Sequence, residues 1–177
     1  MIRPIASRAV PRWAVLVAHI AALTPLPSAI WRVALVLGCP GGYTHNGRAL
    51  IDPQGSGAPA LLLLSVLSEA AALMTLGLVS SRGYRWPLAI PGIGGRPVDA
   101  RAVTTASAAG AILLFILWTP LLGWWAVPHP DLTVDGSRMV GLLYLPLVAW
   151  APLLAVVTLE YHRRHRALAR GAGPGRI

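Results

Sequence analysis

Four stretches of this chain stay apolar long enough to cross a bilayer: residues 13–37, 59–79, 103–127 and 139–159. A hydrocarbon core about 30 Å thick takes about 20 apolar residues of helix. Inside it every backbone N–H and C=O must be satisfied within the chain, which a helix does locally. Only 12% of the residues are charged, against about 25% in ordinary soluble domains, and no segment between the runs could build a soluble core. The expected fold class is therefore all-α: a polytopic membrane protein, one membrane domain over residues 1–177 arranged as a four-transmembrane-helix bundle. Residues 160–177 form a basic tail.

The net charge of +9 would suggest nucleic acid in a soluble protein, but its distribution points elsewhere. Arg3, Arg8 and Arg12 precede the first run, Arg82, Arg85, Arg96 and Arg101 separate the second from the third, and Arg163, Arg164, Arg166, Arg170 and Arg176 follow the fourth. The other two loops hold only Arg48 and Arg138. Arginine accumulates on the cytoplasmic side of membrane proteins, so both termini and the middle loop are expected in the cytoplasm of a bacterial cell, with no role in nucleic-acid binding. The tail "EYHRRHRALARGAGPGR" reads as a clamp on anionic lipid headgroups, worth ~1 kcal/mol per arginine near the surface. His162 and His165 within it are poorly placed for a metal, since the surrounding arginines repel a cation.

The first run is interrupted by "TPLPSAIWR", residues 24–32. Two accommodations are open. Thr24 can cap a second half-helix with Pro25 and Pro27 in its first turn, where N–H groups have no intrahelical partner. Alternatively one kinked helix lets the Thr24 or Ser28 hydroxyl cover the carbonyls that proline frees. Near this proline-broken helix lie the only charges well inside the runs, Arg32 about 8 Å and Glu69 about 15 Å from the outer ends at about 1.5 Å per residue. An unpaired charge at mid-membrane costs roughly 3 kcal/mol on insertion scales. Glu69 is therefore expected to be paired with Arg32, protonated, or held at a half-helix N-terminus, where the helix dipole favours a carboxylate. Thr24, Pro25, Pro27, Ser28, Arg32 and Glu69 make up the candidate intramembrane polar site.

Other signals are weaker. Residues 1–29 imitate a secretory signal, but Pro27 sits badly for cleavage after Ala29, and "VLGC" lacks a lipoprotein's short apolar region. The lone Cys39 excludes an intramolecular disulfide. "GIGG" follows no strand and precedes no lysine, so it carries no nucleotide motif. Ala106, Ser107, Gly110 and Ala111 give the third run the small-residue spacing of close helix packing, and Trp118, Trp124 and Trp125 suit an interfacial belt. Pro120, Pro146 and Pro152 predict kinks. His45, Asp52, His129, Asp131 and Asp135 have metal-ligand chemistry without metal-site spacing. Neither a cofactor nor a resident metal is expected.

"LPSAIWRVALVLG", "LLSEAAALMTLGLVS" and "PGIGGRPVDARAV" resemble uncharacterised four-span integral membrane proteins of actinobacteria, over about residues 23–110. The resemblance implies four spans and no catalytic residue. The chain departs from it at Arg82-Gly83-Tyr84, where an acidic residue would follow the second span. Three functions then compete. The foremost is a non-enzymatic component of the membrane, serving as partner, assembly or regulatory subunit, as a homo-oligomer or with another membrane protein. The alternative is a ligand-binding or transport unit built on the broken helix, Arg32 and Glu69, since binding sites recur at discontinuous helices near the midplane. That would need oligomerisation, because no repeat is evident. A membrane enzyme with an outer His/Asp site ranks last. Reporter fusions at residue 177 and near Gln54 should report opposite compartments. The same compartment at both would contradict four spans.

Overall fold

The computed structural model describes residues 10–80 and 98–171. The loop "SRGYRWPLAIPGIGGRP" and the arginines Arg3, Arg8 and Arg176 lie outside the described residues. The chain is all-helical, and four segments are long and apolar enough to span a membrane: Arg12–Val36, Ala58–Leu78, Ala100–Ala126 and Val134–Ala167. The first is α1 (Arg12–Leu23) followed by α2 (Leu26–Val36), with short α3 (His45–Ile51) leading to α4 (Ala58–Leu78). The third is α5 (Ala100–Trp118) continued by a 3-10 helix (Thr119–Ala126), and the fourth is α6 (Val134–Tyr144) followed by α7 (Pro146–Gly171).

Between lipid-bathed helices the hydrophobic effect supplies little attraction, so close packing of small residues takes its place. α1 buries Ala14, Ala18, Ala21 and Ala22, a stripe that lets α4 and α7 approach it. α7 buries Leu147, Trp150, Leu154, Val157 and Tyr161 at helical spacing, and its most extensive contact is with α5. There Val103 and Ala111 are buried, and a β-carbon added at Gly110 would lie 3.9 Å from Leu154, so the small-residue face of α5 packs within the bundle at Gly110 and Ala111 while Ala106 stays exposed. α1 and α7 are thus central, with α4 and α5 flanking them. The flanking helices turn large apolar side chains outward, among them Leu63, Leu67 and Met74 on α4 and Ile112, Phe115 and Ile116 on α5.

The prolines act differently from one another. Pro120 opens the 3-10 helix and Pro146 follows the turn at Leu145, whereas α7 runs through Pro152. At the first break α1 stops at Leu23 and α2 begins at Leu26 with Pro27 in its first turn. Thr24 is not the N-cap of the second half. Its backbone is helical (φ −61, ψ −36) and its hydroxyl donates to Ala21 O at 2.8 Å. That carbonyl is the one Pro25 cannot reach, having no N–H. Ser28 likewise donates to Pro25 O at 2.8 Å. The break thus combines the two accommodations: the span divides into two helices, as in the first, while the Thr24 hydroxyl covers a proline-freed carbonyl, as in the second.

At the loop end of the bundle the chain repeats itself, which the sequence reading missed. "GYTHNG" (42–47) and "DLTVDG" (131–136) share Thr-x-x-Gly at an offset of 89 residues, and the two copies clasp each other about a local two-fold. Thr44 N–H donates to Asp131 O (3.0 Å) and Thr133 N–H to Gly42 O (2.9 Å). Each threonine hydroxyl doubles its own backbone bond, both at 3.1 Å, and accepts from the N–H of its own glycine, Gly47 or Gly136. Each thus caps the helix it starts. A β-carbon at Gly47 would strike the Asp131 carbonyl, and one at Gly136 the Gly42 carbonyl. Thr-Pro-Leu also recurs, at 24–26 and 119–121, and Thr119 donates to Phe115 O as Thr24 does to Ala21 O. Gly47→Ala and Gly136→Ala should each destabilise the protein by about 1–3 kcal/mol, the range for overpacking. Gly123→Ala, where nothing lies within 4 Å, should be neutral. Thermal melts in detergent would check the contrast.

Candidate functional site

Arg32 lies on the buried stripe of α2 with Ser28, Ala29 and Leu35 and is 1% exposed. Having no lysine's compact charge, its planar fork can serve several acceptors at once. Nε donates to Ser65 Oγ on α4 at 3.0 Å, and Nη1 to the Tyr144 hydroxyl at the end of α6 at 3.3 Å. Ser65 can accept because its own proton goes to Leu61 O at 2.9 Å. The Tyr144 ring centroid lies 5.7 Å from Arg32 Cζ, within cation–π range. Trp31 meets that ring edge-on at 5.8 Å and Trp118 approaches it at 6.1 Å. The guanidinium therefore joins the break-bearing first span to the second and fourth, inside an aromatic wall.

Glu69 follows Ser65 by one helical turn on α4. No salt bridge joins it to Arg32 among the described residues, although Arg32 is the charge that acts on it. Its Oε1 is screened from solvent without a hydrogen-bond partner, and so is Arg32 Nη2. Glu69 opens onto a groove of about 660 Å³ between α2 and α4. Ala29, Ala34 and Ala70 line the groove together with Ile30, Val33 and Leu73. Of the six predicted residues, Glu69 lines this groove, while Arg32 lies behind it, bonded to the lining Ser65, and Ser28 shares the buried stripe of α2 with Arg32. Thr24, Pro25 and Pro27 belong to the break that precedes it. Ser65 and Tyr144 were missed by the sequence reading: Tyr144 lies 112 residues away, and Ser65 carries no mark beyond its spacing of four from Glu69.

The remaining polar residues have structural employment. Asp52 ends α3 in the left-handed region (φ 44) and accepts from Ser56 N–H and Oγ–H, bonds that hold its carboxyl below its ordinary range. His129 stacks on Trp124 at 3.7 Å, and the Trp124 indole donates to Ser137 O, which turns one member of the expected tryptophan belt inward. Asp135 faces Arg138 at 3.8 Å. No group of three His, Cys, Asp or Glu is placed to hold a metal among the described residues. Tyr43 packs on Trp31 at 5.7 Å, and burial, then Tyr144 and Asp131, push its phenol up to about 12. Within the basic tail, Arg164 turns inward. It is 8% exposed and donates to Leu78 O at 2.7 Å, serving the last turn of α4, where cations suit the helix dipole. Arg163 and Arg166 remain exposed.

No family model, curated protein or solved structure matches the chain. Ser65→Ala should cost about 1–3 kcal/mol, since it leaves a buried charged donor without its acceptor. Tyr144→Phe should cost a similar amount by the same argument. In a double-mutant cycle each should couple to Arg32→Gln by more than about 0.5 kcal/mol, as groups in direct contact do.

Proposed function

We propose that this chain is a non-enzymatic component of the bacterial cytoplasmic membrane, a partner or assembly subunit that docks another molecule on the α2–α4 face. One observation carries the reading: a carboxylate oxygen of Glu69 is screened yet unpartnered beside an open apolar groove. Ionisable groups held inside spans are rare and tend to be retained for a partner or pathway. Arginine bias supports cytoplasmic termini, and exposed Arg163 and Arg166 support contact with anionic headgroups there. A ligand-binding unit would use the same groove, whose volume falls in the usual range for small-molecule sites, about 300–1,000 Å³.

The test is photocrosslinking in native membranes. A photoreactive residue at Leu73, in the groove, should give a discrete crosslinked species. One at Ile116, on the outward face of α5, should give none. Equal behaviour at both positions, with only lipid captured, would remove the partner reading.

A further inference from the structure

We infer that Arg32 and Glu69 form a binding site for a single water molecule, which accepts from Arg32 Nη2 and donates to Glu69 Oε1 within the bundle. Both atoms are screened from solvent, and neither has a hydrogen-bond partner among the described residues. Arg32 is 1% exposed, so its guanidinium has no bulk water to turn to. Arg32 is the charge that acts on Glu69, yet no salt bridge joins the two among the described residues. The pair is near enough to interact and too far apart to touch.

The guanidinium cannot close that gap without releasing what it holds. Nε is fixed on Ser65 Oγ at 3.0 Å and Nη1 on the Tyr144 hydroxyl at 3.3 Å. Glu69 stands one turn beyond Ser65 on α4, about 6 Å along the axis at about 1.5 Å per residue. Two hydrogen bonds of about 2.8 Å through one water reach about as far. Buried waters typically make about three bonds to polar groups that lack other partners, and the third here is Ser65 Oγ. That oxygen accepts from Arg32 Nε and gives its proton to Leu61 O, which leaves it one lone pair for the water.

The two orphaned atoms select the ligand. An anion would be repelled by the Glu69 carboxylate, and a metal cation by the guanidinium. Only a neutral molecule that both donates and accepts satisfies donor and acceptor together. A lipid hydroxyl shares that chemistry, but the approach from the groove is walled by Leu26, Ile30, Val33 and Leu73, and Oε1 is screened. Water-mediated bonds are nearly as good in enthalpy as direct ones, so the bridge joins α2 to α4 one turn beyond the Ser65 contact. The inference goes beyond the docking reading above, because it concerns the screened oxygen of Glu69 and docking concerns the groove.

The test is an experimental structure of the full chain in a lipidic phase, at a resolution that shows single waters, with Glu69→Gln and Glu69→Leu beside it. The unaltered chain should show one ordered water within hydrogen-bond distance of Arg32 Nη2 and the Glu69 carboxyl. Glu69→Gln should keep that water, because an amide oxygen still accepts. Glu69→Leu should lose it while Arg32 stays on Ser65 and Tyr144. If Glu69→Leu does not fold, the unaltered chain and Glu69→Gln decide the matter.

A direct bond from Arg32 to the Glu69 carboxyl, an ion or a lipid hydroxyl in the water's place, or a carboxyl turned into the groove would overturn the inference. So would a water that persists unchanged in Glu69→Leu. If the water is present while photocrosslinking at Leu73 captures only lipid, the bridge stands and the partner reading falls. If a protein is captured and no water joins the pair, the partner reading stands and the bridge falls.

Discussion

A guanidinium in hydrocarbon must find acceptors within the protein, and Arg32 finds them on two other spans. Placing an arginine at mid-helix costs roughly 3 kcal/mol on insertion scales. A long side chain near a helix end ordinarily escapes that cost by reaching for the interface. Arg32 stands four residues from the end of α2, yet it is 1% exposed. Its Nε is held by Ser65 and its Nη1 by Tyr144. The position of α4 against α2, and of the α6–α7 turn against both, follows from where those acceptors have to be.

The break at 24–25 serves the same arrangement. Pro25 frees the Ala21 carbonyl, and Thr24 covers it with its own hydroxyl. At the loop end, the duplicated Thr-x-x-Gly units tie α3 to α6 through four hydrogen bonds to the Gly42 and Asp131 carbonyls. At the opposite end Arg164 closes the last turn of α4. α4 is thereby held at both ends, and α4 and α5 keep exposed apolar outward faces among the described residues.

Much of this could be read from residues in order. Long apolar, charge-poor runs mark the spans because charges are costly in hydrocarbon, and prolines at 25 and 27 mark the break because they remove N–H groups. The sense of Thr24 could not be read, since a threonine serves equally well before a helix or behind one and only its backbone angles decide. Tyr144 was invisible as a partner of Arg32 because nothing local links residues 112 apart. The clasp escaped because Gly47 and Gly136 look like ordinary loop glycines until a carbonyl is placed against each. Arg164 read as a surface charge because its neighbours Arg163 and Arg166 are exposed ones.

The central claim is that the Arg32 guanidinium is sequestered and shared between spans, and nitrogen NMR of the arginine side chains in bilayers tests it most directly. With Arg32→Gln assigning the signal by its loss, the Arg32 Nε–H should exchange slowly with water and show through-space transfer to the Ser65 β-protons and the Tyr144 ring. An Arg32 Nε–H that exchanges as fast as those of the exposed arginines Arg138 and Arg163, with no transfer to Ser65 or Tyr144, would contradict the account.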